Sequence, residues 1–280
     1  MSGNNLLIVA EVGINANGSL DNAFKLIDMA KDCGCDVVKF QKRDIDTVYS
    51  PEEQTKYRES PWGTTNGDQK RGLEFNREQY DHIDQYCLNT GIKWFASAWD
   101  IPSLQFLDVY DLPYNKIASA MTTHLDFCEE VAKRGKHTFI STGMTTEKQI
   151  DRVVAIFEQE KCDFTLLHAV STYPCEDHDC NLLTIQTLGE KYGCSVGYSG
   201  HERGILPSVL AVALGATVVE RHICLSRTDY GSDQSSSLEK RGLELLVRDC
   251  RSVYSVLGDG FKRILPAEIE CSKKLRYWES

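Results

Sequence analysis

Two short apolar runs late in the chain each end in a histidine: Tyr198-Ser199-Gly200-His201 and Val218-Val219-Glu220-Arg221-His222. Each reads as a buried strand stopping where a loop begins. As neighbouring strands of a parallel barrel they would aim both imidazoles at the mouth where such barrels do chemistry. A converging pair there suits a divalent metal, although either histidine alone could simply cap its strand by hydrogen bonding. Other polar residues collect at the C-terminal ends of similar runs. They are Glu11, Lys39, Gln41, Ser97, Lys116, Ser119, Ser141, Ser171, Tyr173 and Ser199. Buried charge without a partner costs several kcal/mol, so the lysines need a reason. Either they pair across the barrel with Glu11 or Glu220, or with the hydroxyls they cradle a phosphorylated, carboxylated small molecule.

The elements that would position these side chains repeat as strand, loop and helix. Strand-like runs fall at 6–12, 37–41, 93–98, 114–119, 137–142, 164–170, 195–199 and 218–224. Between them apolar residues recur at helical spacing, as in Ala23, Leu26, Ile27 and Ala30. Ser19 and Thr145-Thr146-Glu147 supply helix starts, and Gly34, Gly91, Gly135, Gly193 and Gly215 supply helix ends. Eight such units predict an α/β fold, a single-domain (β/α)8 TIM barrel over about 1–260 with a tail over 261–280. No glycine-rich dinucleotide fingerprint follows the first strand, which argues against an open doubly wound sheet. The loop from 42 to about 72 is long and polar, and a long loop at a barrel mouth is usually a lid or a substrate wall.

The formal net charge of −10 argues against nucleic-acid and anionic-membrane partners, while leaving room for an anionic substrate in a focused basic pocket. No apolar run reaches the length of a membrane span, and the first residues lack the pattern of a signal peptide. Eleven scattered cysteines make a poor disulfide framework and suit a reducing cytoplasm. The dense run Cys175-Glu176-Asp177-His178-Asp179-Cys180 lacks a second ligand pair at zinc spacing and reads as a solvated loop.

Taken together, several motifs resemble the sialic acid synthase (N-acetylneuraminate synthase, NeuB-type) family. They are Ala10-Glu11-Val12-Gly13-Ile14-Asn15, Val38-Lys39-Phe40-Gln41-Lys42, Lys116-Ile117-Ala118-Ser119 and Ser141-Thr142-Gly143-Met144. Ser171-Thr172-Tyr173-Pro174, Gly197-Tyr198-Ser199-Gly200-His201 and Glu220-Arg221-His222 continue the same order. The resemblance implies a transferase that condenses phosphoenolpyruvate with an open-chain amino-sugar aldehyde, releasing phosphate and a nine-carbon ulosonic acid. It implies Mn²⁺ on His201 and His222, with Mg²⁺ and Co²⁺ as the other candidates. Lys39, Ser97, Lys116, Ser119, Ser141, Ser171 and Ser199 would bind phosphoenolpyruvate. Gln41, Tyr173 and Asp233 would face the sugar, and Glu11 would be the acid/base carboxylate.

The chain departs from the family pattern at Met121, where a glutamate that contacts the acceptor is expected. Members of the family usually continue into a small antifreeze-like domain and form domain-crossed homodimers. Here that domain is expected to be missing, so a homodimer with an open mouth, or a separate covering protein, is the expectation. Three other readings stay open. The same phosphoenolpyruvate chemistry could act on a different aldose or aldehyde, a Schiff-base aldolase could use Lys39 or Lys116, and a barrel could bind ligand without turnover.

Overall fold

The computed structural model describes residues 6–278. Among the described residues there are ten strands: β1 (Leu7–Gly13), β2 (Val37–Lys42), β3 (Tyr57–Ser60), β4 (Gly63–Thr65), β5 (Lys93–Ala98), β6 (Asn115–Ile117), β7 (Thr138–Ser141), β8 (Phe164–Ala169), β9 (Ser195–Gly200) and β10 (Val218–His222). Eight of them close a parallel barrel in the order β1-β10-β9-β8-β7-β6-β5-β2, so the chain is a (β/α)8 barrel. The strands are mostly buried residues because both faces are covered, one by the barrel interior and one by helices.

The helices form where periodicity and end signals agree. Ser19 caps the helix Leu20–Asp32 by accepting a hydrogen bond from the Asn22 amide. The helix Glu147–Gln159 starts at Thr146, whose amide donates to the Gln149 side chain. Gly91 ends its helix with φ at 68°, a conformation that costs glycine little and other residues more. The helix Lys240–Leu257 buries Leu243, Leu246, Val247, Cys250 and Val253, one stripe at three- and four-residue spacing. Each large apolar side chain so covered contributes roughly 1.5–3 kcal/mol.

The segment after β2 differs from the loop expected. It folds into helices Ile45–Val48, Pro51–Thr55 and Asn66–Leu73 around the β3–β4 hairpin. These pieces are too short to show a period, and local caps set them: Asp44, Ser50 and the Thr65–Asp68 capping box. The run 175–180 also differs. Glu176, Asp177, His178 and Asp179 are exposed, but Cys175 and Cys180 are buried with their sulfurs 3.9 Å apart. Beyond the last barrel helix, residues 266–275 form a further, exposed helix, Pro266–Leu275. Among the described residues no helix is long and apolar enough to cross a membrane.

Candidate active site

Strand register assembles the site. Glu11 on β1 lies opposite both Lys39 on β2 and His222 on β10. Gln41 lies opposite Ser97, Ser97 opposite Lys116, and Ser199 opposite Glu220. Side chains two apart on a strand share a face, which explains the pairs Lys39 with Gln41 and Glu220 with His222. These residues meet at the C-terminal mouth of the barrel and line a cavity of about 320 Å³. Every site residue named from the sequence lines it, including Ser119, Ser141, Ser171, Tyr173, His201 and Asp233.

The floor of this cavity is a network of buried charges. Lys39 Nζ lies 3.1 Å from Glu11 Oε2 and 3.1 Å from Glu220 Oε1, and Lys116 Nζ lies 3.8 Å from the same Glu220 oxygen. Ser199 donates to Glu220, and Lys116 donates to Ser141 Oγ at 2.6 Å. Both alternatives for the lysines are therefore present at once: they are ion-paired across the barrel and they face hydroxyls. Burial raises the Glu11 carboxyl to about 8, with Lys39 opposing and Glu220 reinforcing. Burial also favours protonation of Glu220, but Lys116 and Lys39 outweigh it and hold this carboxyl down at about 2. Burial lowers Lys116 to about 8. For Lys39 burial opposes the charge, yet Glu11 and Glu220 together outweigh it and raise its pKa. At neutral pH the cluster thus holds two ammonium groups, one carboxylate and one protonated carboxyl, a net positive pocket in an acidic protein.

Hydroxyls line one wall. Ser119 Oγ accepts from the Gly143 amide at 3.1 Å, and the Ser171 hydroxyl is buried without a protein partner. A Cβ added at Gly143 would come within 2.2 Å of Ser171 Oγ and 2.7 Å of Ser119 Oγ. Only glycine leaves this hydroxyl wall its room.

The two imidazoles face each other, ring centroids 5.5 Å apart, with the Tyr173 ring 4.2 Å from His201. His201 Nδ1 lies 2.9 Å from the Val170 carbonyl oxygen, which requires the proton on Nδ1 and leaves Nε2 free as a ligand. His222 Nδ1 is buried with no hydrogen-bond partner, and Asp233 Oδ2 stands 3.9 Å from it. Burial, then repulsion from His222, lowers His201 to about 3, and burial lowers His222 as well. Both rings are therefore neutral, the form that ligates metals, and the donor set fits a divalent cation with open coordination positions. Among the described residues no group of three His, Cys, Asp or Glu side chains is placed to hold an ion.

Glu220, weighed from the sequence as an ion-pair partner for a lysine, is the shared counterion of both. Two contributors escaped the sequence reading of the site. Arg43 and Lys70 come from the folded 42–73 segment and line the cavity. Arg43 is 5% exposed; its Nε donates to Glu74 and its Nη1 to Tyr49, while Nη2 is buried and unbonded. Burial, then Arg43 and Arg58, lower Lys70 to about 8. Met121 packs against the hydrophobic core and does not line the cavity, where Ala120 stands instead.

Known proteins resemble this chain in sequence and fold. The profile of the NeuB family matches residues 26–262. The chain is 40% identical to N-acetylneuraminate-9-phosphate synthase of Homo sapiens, over 96% of this chain and 76% of that one. It is 33% identical to N,N'-diacetyllegionaminic acid synthase of Campylobacter jejuni, over 94% and 80%. The crystal structure of N-acetylneuraminic acid (sialic acid) synthetase from Leptospira borgpetersenii, in complex with citrate, superposes with a TM-score of 0.84. That match has 31% identity and covers 98% of this chain and 93% of that one.

Proposed function

The chain belongs to the NeuB family, and from that premise we propose that it condenses phosphoenolpyruvate with the open-chain aldehyde of an N-acylated amino sugar. The products are a 3-deoxy-ulosonic acid of the sialic acid kind and phosphate, which makes the protein a transferase. One observation carries the reading: two buried lysines beside a wall of serine hydroxyls, a buried carboxyl and two imidazoles, all in one 320 Å³ cavity. Phosphoenolpyruvate needs that combination, since its phosphate and carboxylate require cations and its reacting carbons require a proton carrier.

In this account Lys39 and Lys116 hold the anionic groups, and Ser97, Ser119, Ser141, Ser171 and Ser199 complete their hydrogen bonds. Gln41, Tyr173 and Asp233 orient the sugar. Glu11 enters the cycle protonated. It gives that proton to the aldehyde oxygen as the phosphoenolpyruvate methylene carbon forms the new carbon–carbon bond. The carboxylate then takes a proton from the water that adds to the former enol carbon, and the tetrahedral centre expels phosphate with its bridging oxygen. The lysines stabilise negative charge throughout. His201 and His222 would hold a divalent cation, Mn²⁺ with Mg²⁺ and Co²⁺ as alternatives, which when bound supplies Lewis-acid polarisation of the acceptor carbonyl.

The acceptor in this reading carries a terminal phosphate. Arg43, whose Nη2 is buried without a hydrogen-bond partner, and Lys70 line the same cavity and would bind that phosphate. The human relative is named for a 9-phosphate product, and adding three carbons at an aldehyde turns C6 of a hexose into C9. The test is phosphate release from phosphoenolpyruvate with N-acetylmannosamine and with its 6-phosphate, in wild type and in Arg43→Met and Lys70→Met. The expected result is a kcat/KM preference for the phosphorylated sugar of at least tenfold that both variants erase. Equal use of the two sugars would overturn the phosphate assignment, and no release with any aldose in the presence of metal would overturn the enzyme reading.

A further inference from the structure

The ladder between β9 and β10 ends one residue too early for the histidines. Its last pairs are Glu220 with Ser199 and Arg221 with Gly200, so His201 and His222 lie just past the final main-chain pairing. What holds the two strand ends together beyond that point is a side-chain node on the opposite face. His222 points into the barrel and its neighbour Arg221 points out. The Arg221 guanidinium, fully buried, donates from Nη1 to Glu202 Oε1 at 2.7 Å, to the Gly204 carbonyl at 2.8 Å and to Ser208 Oγ at 2.9 Å. Its Nη2 donates to the Glu202 carbonyl. Glu202 is equally enclosed, accepting from Ser208 at 2.7 Å and from Tyr198 at 3.0 Å. The same turn is tied to the loop after β8, because the Cys175 amide donates to the His201 carbonyl at 3.0 Å.

Resting on the metal reading above, we propose that Arg221 and Glu202 are positioning residues that fix the separation of the His201 and His222 imidazoles. The pair touches neither substrate nor metal. It joins the residue after one ligand to the residue before the other, so any change in its length moves one imidazole against its partner. A buried ion pair gives little stability over well-packed apolar side chains, but it sets a distance with the directionality of several hydrogen bonds. Residues that orient metal ligands from behind typically change metal affinity by tenfold to a hundredfold when altered.

The experiment is Mn²⁺ titration of the resting protein by calorimetry, without substrate, on wild type, Glu202→Gln, Arg221→Lys, and the milder Ser208→Ala and Tyr198→Phe. Leu246→Ala, a core truncation in the helix Lys240–Leu257, serves as a control for lost stability without a link to the histidines. The expected result is Mn²⁺ binding about 10–100-fold weaker in Glu202→Gln and Arg221→Lys. A smaller weakening is expected in the two hydroxyl variants, and wild-type binding in Leu246→Ala despite its lower melting temperature. If the ion-pair variants do not fold, weakening in both hydroxyl variants supports the proposal and wild-type affinity in both overturns it. Folded Glu202→Gln and Arg221→Lys that bind Mn²⁺ within threefold of wild type would also overturn it, leaving the pair a purely structural one. A wild type that binds no Mn²⁺ overturns the metal reading and this proposal together, a result distinct from the others.

Discussion

Replacing Lys39 by methionine removes the one cation that bridges Glu11 and Glu220 and leaves a side chain of similar length. The nearest oxygens of the two carboxyls, each 3.1 Å from Nζ, lie within about 6 Å of one another by geometry. Two carboxylates at that distance would repel by about 3 kcal/mol at an effective dielectric of 20, equivalent to about two pKa units. Glu11, already raised to about 8, therefore keeps its proton to higher pH in the variant, and Glu220 stays ionised at neutrality. The substitution thus strips a full positive charge from the cavity at pH 7. A charge-assisted hydrogen bond contributes about 1.5–3 kcal/mol, so phosphoenolpyruvate should bind about tenfold to a hundredfold more weakly. Fluorescence quenching of Trp99, which lines the cavity, reads the binding at fixed metal and well below the unfolding transition. A folded Lys39→Met protein with phosphoenolpyruvate affinity within threefold of wild type would refute the assignment of the lysine floor.

Other consequences can be measured directly. Because the folded-state pKa of Glu11 lies near 8, above the ordinary 4.5, its contribution to stability is complete below 4.5 and is lost as pH rises through 8. Glu11→Gln should flatten the decline in melting temperature over that window and lower turnover by about 10²–10⁴-fold; an unchanged melting profile would contradict the buried, protonated carboxyl. Gly143→Ala places a methyl group against Ser119 and Ser171. It should abolish phosphoenolpyruvate binding while barely shifting the melting temperature, and retained binding would show that the hydroxyl wall is not part of the site. Borohydride with pyruvate should trap no adduct on Lys39 or Lys116, since Lys39 is held between Glu11 and Glu220 and Lys116 lies against Glu220; a covalent adduct would instead support a Schiff-base route.

How much of this was legible in the sequence depended on the range over which each signal acts. The barrel was readable because its strands are apolar runs with polar ends and its helices carry three- and four-residue stripes, signals that repeat with the fold. Lys39, Lys116, Glu11 and the histidines stood out because charge at the end of such a run is costly unless used. The segment 42–73 was not readable, since its helices of four to eight residues are set by single caps rather than by a period. Arg43 and Lys70 were hidden with it, and their approach to the barrel mouth is a matter of tertiary packing. Glu220 was legible as a counterion for the lysines because buried charge needs a partner, whereas the Arg221–Glu202 contact joins residues 19 apart and has no local signature. Met121 illustrates the converse: its position in the motif suggested a contact with the sugar, and the turn Ser119–Met121 directs it into the core instead.

The claim on which the account stands is that this cavity breaks the carbon–oxygen bond of phosphoenolpyruvate while joining its methylene carbon to an aldehyde. Phosphoenolpyruvate labelled with heavy oxygen at the bridge, incubated with Mn²⁺ and N-acetylmannosamine 6-phosphate, gives the direct reading by mass spectrometry. The account predicts a nine-carbon ulosonic acid phosphate without label and inorganic phosphate that carries it. Unlabelled phosphate, with the heavy oxygen left on the three-carbon fragment, would contradict it.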